Sequence, residues 1–294
     1  MKRRLIDRLH DRAWSEIGVL LSIQSDIEKP KNEDKLSSSI SASTTWPAVC
    51  AAFAANLLGS RNFRRTTAVR NIVETVGAVE GRFYARRIRE WGPDWLANSQ
   101  IEKVDSWGDP IRWSGFLLGT SRNFSPTTLR YLATALWLKR TGFLKRGTEL
   151  IEIGVGFGGL AAMNAIVSKS ITTLVDLPEV EHAAMRMLTE NGLAEYARLR
   201  QEHDLATKTL VISNYAFTEL DKENQNEYFY RFLKHAEHGV IISNSFVFSE
   251  SICGRSDDEL LTWFIAEGLP AKLEKTNSLL GPGDHLNHVS MIYW

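Results

Sequence analysis

The residues best placed to do chemistry lie near the middle of the chain, in Glu152-Ile153-Gly154-Val155-Gly156-Phe157-Gly158-Gly159. Gly154, Gly156 and Gly159 meet the G-x-G-x-x-G spacing. Glycines at those places permit a tight turn, let a backbone approach a ligand closely and let the next helix pack on its strand. That spacing serves a dinucleotide pyrophosphate as well as a methionine and ribose moiety. Glu152, two residues ahead of the first glycine, tilts the choice, because a carboxylate counters an ammonium and repels a pyrophosphate. Asp176 follows about 20 residues further on, where an acid accepts hydrogen bonds from ribose hydroxyls in either class of cofactor.

These residues need particular elements beneath them. From about residue 125 the pattern alternates between apolar runs and helical segments, which predicts a doubly wound α/β domain with a parallel sheet. Strands are expected over 149–153, 171–175, 198–201, 209–213, 239–243 and 288–294, with crossover helices over 160–168, 180–191, 222–236 and 257–266. In such a sheet ligands gather at the carboxyl ends of the strands. Asn214 and Tyr215 leave the fourth strand there, and Asp204 follows a weak third strand, where it either meets a ligand or caps its own loop. Glu219 either meets a substrate hydroxyl or sits as the favourable charge at a helix start. Arg130 reads as a partner for a cofactor carboxylate or as a helix-surface residue.

The first part of the chain reads as helical. Leu5, Leu9, Ile17, Leu20 and Leu21 fall at amphipathic spacing, which suits packing or dimerisation. Residues 29–45 are polar and proline-bearing and mark a linker, after which helical patterns resume from Trp46 to about Trp91. The expected division is a helical region over 1–120, acting as a substrate lid or dimerisation element, and a catalytic domain over 121–294. Trp91, Trp95, Trp107 and Trp113 punctuate the connection, either as platforms for sugar faces or as buried contact area.

Composition narrows the function classes. With 294 residues, 44% hydrophobic and 24% charged, the chain is globular in type, and its 35 basic and 35 acidic residues give no net basic field for nucleic acid. Asp7, Asp11 and Glu16 interrupt the N-terminal apolar residues, so no secretory signal is expected. No apolar run approaches the roughly 18 residues of a membrane span. Cys50 and Cys253 are the only cysteines, without histidines at ligand spacing, which fits a reducing cytoplasm and no metal.

Glu152-Ile153-Gly154-x-Gly156-x-Gly158-Gly159, Val175-Asp176-Leu177-Pro178-Glu179-Val180 and the closing Val289-Ser290-Met291-Ile292-Tyr293-Trp294 resemble class I S-adenosylmethionine-dependent methyltransferases. More narrowly, Ser125-Pro126-Thr127-Thr128-Leu129-Arg130-Tyr131, the segment Val211-Ile212-Ser213-Asn214-Tyr215-Ala216-Phe217-Thr218-Glu219-Leu220, and Asn287 ahead of the last strand are similar to the sugar O-methyltransferase family of bacterial polysaccharide and natural-product clusters. The similarity spans about residues 107–294. It implies a Rossmann-like, seven-stranded sheet ending in an antiparallel hairpin. It also implies S-adenosylmethionine as donor, S-adenosylhomocysteine as product and a sugar hydroxyl as acceptor. The cofactor set it implies is Arg130, Glu152, Gly154, Gly156, Gly158, Asp176, Leu177, Asp204, Asn214 and Tyr215. Methylating a hydroxyl calls for a base, and His285, aided by His288 or Asn287, is the expected one, with Tyr215 and His203 as alternatives. An aromatic hydroxyl or a nitrogen as acceptor, an NAD-dependent oxidoreductase, and a catalytically silent partner-binding homologue remain as competing readings.

Overall fold

The computed structural model describes residues 44–201, 210–275 and 289–294, the side chains of Val247 and Phe248 excepted. The amphipathic segment around Leu5 to Leu21, and the polar stretch 29–45 but for its last two residues, lie outside the described residues. The N-terminal part is helical, with α1 (Trp46–Ala54), α2 (Thr67–Ile72), α3 (Ala78–Trp91), α4 (Ser99–Ser106) and the short α5 (Gly115–Leu118). Local chemistry marks most of these starts. Pro47 sits in the first turn of α1, where its missing N–H is no loss. Thr66 accepts from the Val69 N–H, Glu80 reaches back to the Gly77 N–H, and Asn98 accepts from Gln100 and Ile101.

From residue 126 the rhythm alternates: α6 (Pro126–Thr141), β1 (Glu149–Ile153), α7 (Gly159–Ser168), β2 (Ile171–Val175), α8 (Pro178–Glu190), β3 (Ala197–Leu199), β4 (Leu210–Asn214), α9 (Lys222–Tyr228), β5 (His238–Ser243), α10 (Ser245–Phe248), α11 (Asp257–Ala266), β6 (Lys272–Glu274) and β7 (Ser290–Tyr293). The strands form one sheet in the order β3-β2-β1-β4-β5-β7-β6. β1 to β5 are parallel, and β7 runs antiparallel to both β5 and β6. This is the Rossmann-like, seven-stranded sheet with a closing antiparallel hairpin that the resemblance implies. Two details differ from expectation. The third strand is three residues long, and the helix expected over 222–236 is α-helical only to Tyr228, then widens into a π turn over Phe229–Leu233. The wider turn brings Phe229, Phe232 and Leu233 all into the core.

Strand side chains alternate between two cores, as the pleat requires. Leu150, Leu210, Ile212, Val240 and Met291 join one cluster, whereas Ile151, Val211, Ile241 and Ile292 join the other. The first cluster also takes in Trp46, Phe53, Phe63, Tyr84, Ile88 and Ile101, so the N-terminal helices share their core with the sheet. Rings continue this contact, with Phe53 4.5 Å from Phe63, Trp107 5.6 Å from Phe53, and Phe157 of the glycine turn 6.1 Å from Trp107. Trp107 is thus packing area, and its Nε1 donates to Glu190. Among the described residues no helix is long and apolar enough to cross a membrane.

Candidate active site

At the carboxyl ends of β2, β1, β4 and β5 the loops part around a cavity of about 460 Å³. β1 lies between β2 and β4, so the chain leaves the sheet in opposite directions on either side of it, which opens a crevice at that point. The floor is the glycine turn. Gly154 has φ +79°, and a Cβ there would fall 1.9 Å from the Ala216 Cβ, so only glycine lets the β1 and β4 loops close together. The Gly154 N–H donates to the Val175 carbonyl and ties the turn to the end of β2. Gly156 turns its N–H to Asp176 Oδ2 at 3.3 Å, and the Leu177 N–H donates to Oδ1 at 2.8 Å. The roof comes from Trp46, the segment after α2 with Val73 and Val76, and Glu80 of α3.

Of the residues singled out in the sequence, Arg130, Glu152, Gly154, Gly156, Asp176, Leu177, Asn214 and Tyr215 all line this cavity. Gly158 does not. It caps α7 at φ +88° and packs on Ala184 and Met187 of α8. Asp204, His285 and His288, with His203 and Asn287, lie outside the described residues.

Three of the lining groups carry polar atoms that the described residues leave without a partner. Glu152 is 1% exposed and its Oε2 accepts nothing. Burial first, and Asp176 second, push its carboxyl well above the usual carboxylate range. Both amide atoms of Asn214 and the Nε of buried Arg130 are likewise unpartnered. Leaving such groups dry costs on the order of 1–3 kcal/mol each, so the cavity is prepared for a polar occupant. Asp176 is pushed up to about 7, chiefly by burial, against the pull of the Leu177 and Gly156 N–H groups.

The β4 to β5 end of the cavity is built differently. Tyr215, directly after β4, has φ +76°, a left-handed conformation that costs a non-glycine residue about 1–3 kcal/mol. Its N–H donates to the Ile242 carbonyl, and its carbonyl accepts from the Thr218 N–H, which together hold the strained turn. Its ring lies 5.1 Å from the Arg130 guanidinium carbon. Tyr84, buried beneath, shares a hydrogen bond with the Tyr215 phenol, and burial raises both phenols. Glu219 closes the same turn and accepts from Asn244 Nδ2 at 2.7 Å. Asn244, Glu80 and Trp46 were not singled out in the sequence. Asn244 had a readable signal, since Ile242-Ser243-Asn244 closes its strand as Ile212-Ser213-Asn214 does, whereas nothing local marks Glu80 or Trp46 as lining residues.

No protein-family model matches the chain, and no curated protein matches it. Similar solved structures include a protein of Galdieria sulphuraria described as a sarcosine dimethylglycine methyltransferase, at 18% identity and TM-score 0.40, covering 52% of this chain and 64% of that one. The chain thus spans less than two thirds of that protein's length. An S-adenosylmethionine-dependent methyltransferase of Aquifex aeolicus is similar at 14% identity and TM-score 0.43, over 66% of this chain and 96% of that one. The geranyl diphosphate C-methyltransferase of Streptomyces coelicolor A3(2), solved with S-adenosylhomocysteine, is similar at 15% identity and TM-score 0.37, over 54% and 79%.

Proposed function

We propose that the chain is an S-adenosylmethionine-dependent O-methyltransferase that methylates a hydroxyl of a sugar or sugar-bearing natural product. Glu152 carries the cofactor assignment. A fully buried carboxylate with an unpartnered oxygen calls for a cationic donor, and the ammonium of a methionine moiety is one. A pyrophosphate would bring more negative charge to a place where burial and the nearby Asp176 already raise the cost of ionising Glu152. Gly154 and Gly156 leave the backbone room on the floor, Asp176 with Leu177 beside it receives the ribose hydroxyls, and Arg130 and Asn214 have unpaired donors for the cofactor's carboxylate. Bound there, S-adenosylmethionine supplies an electrophilic methyl group on a sulfonium sulfur. The protein's own residues hold the cofactor, exclude water beneath the roof and orient the acceptor at the β4 to β5 end. The sugar acceptor is supported by the segment from Val211 to Leu220, whose Asn214, Tyr215 and Glu219 all line the cavity.

In the same reading residues 1–120 roof the pocket and pair two copies, residues 121–294 form the catalytic domain, and the enzyme works in the cytoplasm. The proton of the acceptor hydroxyl goes to a base, for which the sequence offers His285, His288 and Tyr215.

Calorimetry tests the assignment. The protein is expected to bind S-adenosylmethionine and S-adenosylhomocysteine and to ignore NAD. Glu152→Gln keeps the shape, relieves a buried charge and removes the anion, so it should weaken S-adenosylmethionine binding about 10- to 100-fold without lowering the melting temperature. Tight binding of NAD, with no response to the methyl donor, would refute the reading. A methyl-transfer screen over sugars and glycosylated metabolites then tests the acceptor class.

A further inference from the structure

Resting on the methyltransferase reading, we infer that Glu219 is the proton acceptor for the substrate hydroxyl, in an acceptor subsite at the β4 to β5 end of the cavity, with Asn244 as its positioning residue. Topology separates the two ends. Along the strand ends the lining residues run from Asp176 after β2, through Glu152 and Gly154 at β1, to Asn214 and Tyr215 at β4 and Asn244 at β5. Neighbouring strands are about 4.8 Å apart, so Asp176 and Asn244 stand some three strand spacings from each other. The carboxylates and glycines that suit the cofactor occupy the first half, Asn214 stands at the boundary, and the acceptor is left the β5 side.

On that side, among the described residues, Glu219 is a carboxylate beside the cavity with an open oxygen. Its Oε1 accepts from Asn244 Nδ2 at 2.7 Å, and its Oε2 has no hydrogen-bond partner among the described residues. Asn244 is itself fixed, its Oδ1 accepting from the Thr218 hydroxyl at 2.7 Å. The carboxylate is therefore held by one oxygen and open to the cavity by the other. Two other described groups that line the cavity are tied to the roof side. Glu80 Oε2 accepts the Gly77 N–H at the start of α3, and the Tyr215 phenol is shared with Tyr84. Burial lifts the Glu219 carboxyl above the usual range, while the Asn244 hydrogen bond and the Arg130 charge pull it back, which moves its basicity towards neutrality. Among the described residues, the ionisable groups sharing the cavity with it are Glu80 on α3, Arg130 and Tyr131 on α6, Tyr215, Tyr228, and, across the floor, Glu152 and Asp176.

The step balances simply. The acceptor's O–H proton passes to Glu219, and the oxygen forms a bond to the methyl carbon. The carbon–sulfur bond breaks with its electron pair left on sulfur, which becomes a neutral thioether, and the proton then leaves Glu219 for water.

Calorimetry with S-adenosylmethionine and S-adenosylhomocysteine on wild type and Glu219→Gln provides a test that needs no acceptor. A carboxylate beside the reacting centre favours the sulfonium over the thioether, so Glu219→Gln should weaken S-adenosylmethionine about tenfold, the scale of one partly desolvated charge pair, and leave S-adenosylhomocysteine unchanged. An unchanged ratio between the two ligands, or equal loss of both, overturns the inference. Failure of the wild type to bind either ligand defeats the methyltransferase reading instead.

Turnover is then followed with labelled S-adenosylmethionine and the methyl glycosides of glucose, galactose, mannose and rhamnose. Glu219→Gln should lose roughly 100- to 10,000-fold in kcat and the rise of activity with pH that Glu219 ionisation produces. Asn244→Ala should shift that pH limb with a smaller loss. If His285→Ala or His288→Ala abolishes turnover while Glu219→Gln keeps it, the base is a histidine and the inference falls. The affinity ratio decides alone if none of these sugars is methylated.

Discussion

Beneath the cavity, Glu152, Gly154, Gly156, Asp176 and Leu177 come from two short stretches of chain that end adjacent parallel strands. Above it, Trp46, Val73, Val76, Glu80 and Arg130 come from α1, the segment after α2, α3 and α6, which touch only because they share a core with the sheet. The floor is positioned by hydrogen bonds between two neighbouring strand ends, Gly154 to Val175 and Gly156 to Asp176, and Glu152 within it keeps an open oxygen. The roof is positioned by side chains reaching far along the sequence. Arg64 is its centre. Fully buried, it binds Glu74, the carbonyls of Val104 and Asp105, and the hydroxyls of Ser125 and Thr128, and its guanidinium carbon lies 4.6 Å from the Phe157 ring centroid. A floor of this kind determines which ligand is accepted, whereas such a roof determines whether the pocket exists.

If that division holds, the largest effect belongs to the roof. Arg64→Met leaves Glu74 buried without its cation, and should destabilise the whole protein by about 3–5 kcal/mol in urea unfolding. Because roof and sheet share one hydrophobic cluster, the transition should stay single. A separate early step in which only the N-terminal helices melt would break the comparison.

The floor should behave in the opposite way. A side chain at Gly156 meets nothing closer than 3.5 Å, so Gly156→Leu has space to enter the cavity, at φ +54°. It should cost about 1–2 kcal/mol in stability from the left-handed backbone, yet weaken cofactor binding on the order of 100-fold or more by filling the site. Calorimetry beside a melting curve separates the two. Loss of stability without loss of binding would mean that Gly156 serves the fold alone.

The smallest effect sharpens the floor's electrostatics. With its carboxyl pushed from 3.8 to about 7, Asp176 keeps a proton in the folded protein that the unfolded chain releases from about pH 4 upward. The folded state binds more protons in that window, so its stability falls as pH rises from about 4 to about 7. With partial exposure screening the charge, the fall should be about 1 kcal/mol in the ligand-free protein. Asp176→Asn should lack it. Equal pH slopes for wild type and variant would show that Asp176 is solvated like a surface acid.

Legibility followed the same line. The strands over 149–153 and 171–175 fall where their apolar runs predict, and the glycine turn with its acid follows directly from them. Glu219 was readable as a residue but not as a role, since only the Asn244 contact distinguishes it from a helix-start charge. The tryptophans read both ways in the sequence, and the structure separates them. Trp107 stacks into the ring chain, and the tryptophan that lines the cavity is Trp46, which the sequence did not mark. The π turn after Tyr228 left no signature, because its residues are as apolar as those of an ordinary buried helix.

What the sequence determined by itself is the alternation of strand and helix, the crevice at the end of β1, and the acid and glycines within it. These depend on periodicity and on turn chemistry, both of which act over a few residues. Only the tertiary structure decided the rest: that Glu152 is left with an open oxygen, that residues 73–80 form a ceiling over it, that Arg64 ties ceiling to floor, and that Asn244 holds Glu219 towards the cavity. The contacts among these join groups from 10 residues apart, as Arg64 and Glu74, to 93 apart, as Arg64 and Phe157. Their meeting is set by how two hydrophobic layers pack, which no local pattern encodes.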